Sequence, residues 1–190
     1  LFLERAESRP DAVALRYKDL GLYQEVTWRD YRDQVEAFAL GLIALGVEPG
    51  DRIAIMGDPC VEYFIADMAG LSIGAITYGI YTTCSPTEVR HQLENAGAKI
   101  FIAENQEYVD KVLDLQDLST PLEHIVVADM RAMFLYRDER IASLAQVQER
   151  GRELHKAKPQ LFEQKIATIK PEDIAVFVYT SGTTGKPKGV

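Results

Sequence analysis

Apolar residues along the chain follow two spacings that alternate with each other. Helical spacing, with one apolar face, runs through residues 31–45, 61–73, 86–96 and 106–115. Short apolar runs that are typical of strands occupy residues 12–17, 25–28, 52–56, 75–80, 99–103 and 124–128. This alternation predicts a three-layer α/β/α fold with a mostly parallel sheet, whose strands are joined by right-handed helical crossovers.

Two short sequences mark the starts of helices. Thr27 and Asp30 have the spacing of a capping box, in which each side chain binds the backbone N–H of the other residue. Ser85, Pro86 and Glu88 combine a capping serine, a proline at the first helical position and a glutamate three residues after the cap. We therefore expect one helix to begin at each of these caps.

The chain changes character between residues 129 and 171, which are rich in Arg, Glu, Gln and Lys. Helical spacing persists there around residues 144–156 and 160–169. We interpret this segment as a helical excursion on the surface, inserted between two strands of the sheet. The run at residues 174–179 that follows is continuously apolar and predicts one more buried strand.

Composition narrows the class of protein. Hydrophobic residues make up 47% of the 190 residues and charged residues 26%, which is enough apolar material for a core and excludes a disordered chain. The formal net charge is −8, so the chain lacks the basic surface of a general nucleic-acid binder. No run of about 18 apolar residues predicts a membrane-spanning helix.

The ends of the chain predict its cellular context. Glu4, Arg5 and Glu7 interrupt the apolar start, so it does not read as a signal peptide. Because the first residue is Leu1 and not methionine, we expect both ends to be cut from a longer protein. The expected location is the cytoplasm, with peripheral contact to a membrane left open.

The cysteines and histidines do not form a recognisable site. Cys60 and Cys84 lack metal-like spacing, and we expect structural roles for both because no basic residue adjoins Cys84 in sequence. The histidines are scattered, so neither a metal site nor an acid–base site is predicted from them. His91 and His155 are expected on exposed helix faces, and His124 at the start of a strand.

The glycine-rich segment, residues 180–189, follows the predicted last strand and carries the chemistry. Its three glycines allow close backbone approach, and four of its first five positions are hydroxyl residues. Backbone N–H groups in such a segment form an anion-binding concavity, and Lys186 and Lys188 add positive charge. A flexible surface turn is the plain alternative, but these features together predict a polyphosphate site.

Two other phosphate-binding patterns do not fit. In the phosphate loop of kinases and GTPases, a glycine would stand at Thr180, and Ser or Thr would follow the lysine where Pro187 stands. The dinucleotide fingerprint G-x-G-x-x-G is also absent. The segment therefore indicates a different family of phosphate-binding proteins.

The run from Tyr179 to Gly189 resembles, at every position, the signature loop of the AMP-forming superfamily of acyl-CoA synthetases, luciferases and peptide-synthetase adenylation domains. Residues 26–31 resemble its early helix-start motif, and residues 45–52 its turn into the first buried strand. The resemblance covers all 190 residues, which would form the N-terminal portion of one adenylate-forming domain. Residues 80–85 and the long charged segment before residue 170 are most similar to bacterial long-chain fatty acyl-CoA synthetases.

The resemblance implies an ATP-dependent ligase. A fatty acid would attack the α-phosphate of magnesium-bound ATP, giving acyl-adenylate and pyrophosphate, and coenzyme A would then take the acyl group. The implied phosphate-binding residues are Thr180, Ser181, Gly182, Thr183, Thr184, Gly185, Lys186 and Lys188. Thr180 would also lie beside the magnesium ion. Lys188 is the lysine shared by the family, whereas Lys186 stands at a variable position and supplies supporting charge.

The resemblance places the remaining machinery beyond Val190, including the catalytic lysine, the adenine and coenzyme A sites and the fatty-acid tunnel. We therefore expect no catalytic residue in this chain and no ligase activity from it alone. Medium-chain, aryl and amino acids stay open as substrates. A non-catalytic nucleotide-binding domain of the same fold is the second class of function, and the oligomeric state is not predicted.

Overall fold

The computed structural model describes residues 1–115, 117–180 and 187–190. The helices are α1 Phe2–Ser8, α2 Trp28–Ala44, α3 Val61–Ser72, α4 Pro86–Ala96, α5 Gln106–Leu113, α6 Leu144–Ala157 and α7 Leu161–Ile166. The strands are β1 Val13–Asp19, β2 Leu22–Thr27, β3 Arg52–Met56, β4 Ile76–Ile80, β5 Ile100–Ala103, β6 His124–Val127, β7 Ile141–Ser143, β8 Tyr179–Thr180 and β9 Lys188–Gly189.

The predicted three-layer fold is confirmed. Strands pair in the order β4-β3-β5-β6-β7, and every pairing in this sheet is parallel. Alternate side chains of β3 enter separate cores: Ile53 and Ile55 pack with α2, α3 and α6, whereas Ala54 and Met56 pack with α4 and α5. Because helices cover both faces, the central strands are apolar at nearly every position.

Both predicted capping boxes are present. The Thr27 side chain accepts a hydrogen bond from the backbone N–H of Asp30, and Ser85 does the same for Glu88. Because Thr27 is the cap, Trp28 begins α2, and the prediction of a strand over residues 25–28 is wrong at its end. The strand instead starts earlier, at Leu22, and pairs with β1 through a two-residue turn.

The helices predicted around residues 144–156 and 160–169 are confirmed as α6 and α7, but the prediction that the whole of residues 129–171 is a surface excursion is wrong. The segment contributes β7, which extends the parallel sheet, and α6, which packs closely on α2. A Cβ atom on Gly151 would lie 1.8 Å from the carbonyl oxygen of Ala37, so only glycine allows this approach. Val147 and Phe162 are fully buried. The charged residues that dominate its composition occupy the outer face of the helices.

The prediction of a buried strand at residues 174–179 is also wrong, because the strand there is limited to Tyr179–Thr180 and four of the six residues are exposed. Phe177 and Tyr179 pack into the core, but Ile174, Val176 and Val178 are 59%, 46% and 54% exposed. The segment meets β4 through a single bridge, Thr77 to Val176. Its other face is not covered by the described part of the chain.

No helix in the described ranges is at once long and apolar enough to cross a membrane.

Candidate functional site

The glycine-rich segment begins at the carboxyl edge of the parallel sheet. The backbone N–H of Thr77 in β4 donates to the carbonyl of Ala175 (3.1 Å), and Phe177 N–H donates to the Thr77 carbonyl (3.0 Å). Because this pairing is parallel, the chain reaches Thr180 at the edge where β4 ends at Ile80. Open α/β sheets bind their ligands at this edge.

Two short antiparallel strands enclose most of the candidate residues. In this hairpin, β8 and β9, Thr180 stands opposite Lys188, and Val178 and Val190 exchange backbone hydrogen bonds of 2.9 and 3.0 Å. Side chains directly opposite in an antiparallel pair lie on the same face. The Thr180 and Lys188 side chains therefore lie on the same face of the hairpin, and both residues are exposed.

The other candidates, Ser181, Gly182, Thr183, Thr184, Gly185 and Lys186, lie outside the described residues, so their predicted roles stay predictions.

A buried tyrosine holds the first strand of the hairpin. Tyr179 is 7% exposed, and its ring lies 5.5 Å from the ring of Tyr78, centroid to centroid. Its hydroxyl donates to Oδ1 of Asn95 in α4 over 2.9 Å. Burial raises the pKa of Tyr179, so the hydroxyl keeps its proton and remains a donor at neutral pH. A Cβ on Gly189 would lie 3.2 Å from this ring, so β9 packs directly on it.

A histidine holds the second strand, which sequence reasoning missed. His91 Nε2 lies 2.8 Å from the carbonyl oxygen of Pro187. Since a carbonyl can only accept, Nε2 carries the proton in this contact. The prediction that His91 lies on an exposed face is wrong, because Pro187 partly covers it. Because His91 and Pro187 are 96 positions apart, no local pattern in the sequence marked this contact.

The other histidines and the cysteines stay outside this site. His124 opens β6 as predicted, and the exposed His155 contacts Glu36 through Nδ1 at 2.8 Å. Burial raises the pKa of Cys60 to about 11, so it remains a thiol, in line with a structural role. The Lys111 ammonium binds the carbonyl of Cys84 at 3.2 Å, a basic neighbour that the sequence did not place there.

An open cavity of about 400 Å³ adjoins the hairpin. It lies between the carboxyl ends of β3 and β4, and Asp58, Tyr63, Tyr81 and Tyr179 contribute to its walls. Within the described ranges no group of three or more His, Cys, Asp and Glu side chains is arranged to hold a metal ion. The edge of the sheet thus combines a concave surface with the exposed side chains of Thr180 and Lys188.

Comparisons with known proteins give matches over nearly the whole chain or all of it. The sequence profile of the family described as AMP-binding enzyme matches residues 2–190. The long-chain-fatty-acid–CoA ligase ACSBG2 of Xenopus laevis is 32% identical over 196 residues, which cover all of this chain and 25% of that protein. The long-chain-fatty-acid–CoA ligase FadD15 of Mycobacterium tuberculosis is 32% identical over 189 residues, covering all of this chain and 30% of that protein. The chain spans about a quarter to a third of these relatives.

Solved structures give the same fold. The anthranilate CoA ligase AuaEII, in complex with anthranoyl-AMP, superposes with a TM-score of 0.81 at 26% identity, over the whole chain and 33% of that protein. The N-terminal domain of FACL13 from Mycobacterium tuberculosis has a TM-score of 0.75 at 24% identity and shares the fold over 42% of its length.

Proposed function

The chain belongs to the AMP-binding enzyme family, and on that premise we propose that it supplies the phosphate-binding part of an AMP-forming acid–thiol ligase. The observation that carries this proposal is the exposed pair of Thr180 and Lys188 on one face of the hairpin, at the carboxyl edge of the sheet. A hydroxyl donor beside an ammonium group suits the terminal phosphates of ATP. The intervening residues, Ser181, Gly182, Thr183, Thr184, Gly185 and Lys186, are proposed to complete the same site.

The residues present also fit magnesium-bound ATP. Magnesium keeps several waters and uses substrate phosphates as ligands, so it needs few protein ligands. The Thr180 hydroxyl is an oxygen ligand of the required kind, and the residue is exposed. When bound, the ion would neutralise charge on the phosphates. We propose Thr180 as its neighbour in this chain.

The proposed reaction has two steps. The carboxylate of the acid attacks the α-phosphate of ATP, forming the acyl-adenylate and releasing pyrophosphate. The thiol of coenzyme A then attacks the acyl carbonyl and displaces AMP. The role of Lys188 and the hydroxyl residues is to hold the departing pyrophosphate in line and to balance its developing charge.

We propose a long-chain fatty acid as the carboxylate. Two relatives that match the whole chain carry that substrate in their names. The structural neighbour that binds anthranoyl-AMP keeps an aryl acid as the alternative. A non-catalytic nucleotide-binding protein is the second candidate function, and it is favoured if ATP binds without pyrophosphate release. Pyrophosphate release by the longer protein that contains this chain, measured across acids of graded chain length, separates the three.

Substitutions in the glycine-rich segment give the sharpest test of this proposal. In the longer protein, Lys188→Ala, Thr183→Ala and Thr184→Ala should each lower the rate of pyrophosphate release about tenfold or more. Each removes a bond to a charged phosphate worth about 1.5–3 kcal/mol. Thioester formation from ready-made acyl-adenylate and coenzyme A should be spared, because no pyrophosphate is then bound. Lys170→Ala, an exposed lysine outside the site, is the matched control.

Equal losses in both half-reactions would show that the loop acts elsewhere in the cycle. A fall in melting temperature that accounts for the lost activity would show a structural role instead. Residues 1–190 alone should form no acyl-CoA, and measurable product from them would mean that the active site has been misplaced.

A further inference from the structure

Two side chains of α4 reach the two arms of the hairpin separately. His91 and Asn95 are four residues apart, so they lie on the same face of the helix, one turn from each other. His91 donates to Pro187, which precedes β9, and Asn95 accepts from Tyr179 in β8. The two contacts therefore fall on either side of residues 180–186 in the sequence.

The helix that carries these contacts is firmly held. Its N-terminus has the complete capping box of Ser85 and Glu88, and it ends at Gly97 in the left-handed conformation, with φ of 64°. Val89 and Leu93, on the neighbouring face, are fully buried against the sheet. Such a helix moves little relative to the core.

The hairpin is short, and apart from the buried Tyr179 the residues of its two strands are exposed. Each of its strands has two residues, and Thr180, Lys188 and Gly189 are exposed. A two-stranded hairpin of this size is at best marginally stable on its own in water. Its position must therefore come from contacts with the rest of the molecule, and α4 supplies a side-chain bond to each arm.

We propose that His91 and Asn95 are positioning residues, which fix the two arms of the hairpin so that Thr180 and Lys188 face the nucleotide together. The expected effect on the use of ATP rests on the proposed function. The fixing of the hairpin by His91 and Asn95 does not depend on that function.

The test uses the longer protein and compares His91→Ala with His91→Gln, whose amide nitrogen can occupy the place of Nε2. Loss of one neutral hydrogen bond should lower kcat/KM for ATP in pyrophosphate release about two- to tenfold, and glutamine should restore most of it. Asn95→Leu should act in the same direction, and Asn95→Asp, which keeps an acceptor for Tyr179, should not. His155→Ala, an exposed histidine bonded elsewhere, is the control.

The backbone N–H of Val178 donates to the carbonyl of Val190, and the N–H of Val190 donates to the carbonyl of Val178. Hydrogen exchange at these two amides gives a readout that is independent of activity. His91→Ala should speed exchange at both by a similar factor, with the melting temperature unchanged. If the wild type releases no pyrophosphate, the proposed function fails. The hydrogen-exchange rates still show whether His91 fixes the hairpin. Unchanged exchange in His91→Ala, or a normal kcat/KM in an active enzyme, would refute the positioning role. A glutamine variant as impaired as alanine would refute it as well.

Discussion

The segment of residues 129–171 and the segment of residues 174–179 both depart from the burial that their compositions predict. The first is charged and was expected on the surface, yet it supplies an edge strand and a helix packed tightly on α2. The second is continuously apolar and was expected in the interior, yet Ile174, Val176 and Val178 are about half exposed.

The difference teaches that the average composition of a segment does not report its burial. In α6 the buried positions are few and regularly spaced: Leu144, Val147, Gln148 and Gly151. The charged residues between them cover the outer face of the helix, which is why the average is polar. For residues 174–179, an apolar strand is buried only if something lies on each side, and the described chain covers one side.

The largest expected effect tests the hidden core of the charged segment. Phe162→Ala removes a fully buried ring and should lower the free energy of unfolding by about 3–5 kcal/mol, measured by urea denaturation. Phe134→Ala, in the same segment but 71% exposed, is the matched control and should cost much less. A loss of unfolding free energy at Phe162 as small as the loss at Phe134 would mean that the segment is on the surface after all.

The next effect tests the contact between α6 and α2. Gly151→Ala should lower the free energy of unfolding by about 1–3 kcal/mol, because the added methyl group would meet the carbonyl of Ala37. Intrinsic helix propensity alone favours alanine over glycine by about 1 kcal/mol. The sign of the change in unfolding free energy therefore shows whether propensity or the clash with Ala37 dominates. Arg150→Ala, on the exposed side of α6, should be nearly neutral. A stabilised Gly151→Ala chain would contradict the close approach.

The smallest effect tests the exposed face of the apolar segment. Ile174→Ala should change the free energy of unfolding by about 0.5 kcal/mol or less, because the side chain is 59% exposed. Ile125→Ala in β6 removes a fully buried side chain of the same type and should cost about 2–5 kcal/mol. A loss at Ile174 that matches Ile125 would show that the second face of the segment is covered in solution.

Much of the central fold was predictable because its signals are local. The capping boxes at Thr27 and Ser85, and the strand Arg52–Met56, stand where the sequence put them. Side chains a few residues apart decide these features, so no distant contact was needed. For the candidate site, the sequence marked residues 180–188, of which the described Thr180 and Lys188 prove to be cross-strand neighbours.

The sequence by itself determined the alternation of helices and strands, the helix caps and the order of glycines, hydroxyls and lysines in the loop. Only the tertiary structure decided which faces are covered and what holds the hairpin. His91 and Pro187 are 96 positions apart, and so are joined by no local pattern. Likewise, the need for glycine at position 151 follows from its contact with the backbone of Ala37. Burial and the contacts of the hairpin depend on which two surfaces pack together. The pattern of residues along one helix or strand describes only one of those surfaces.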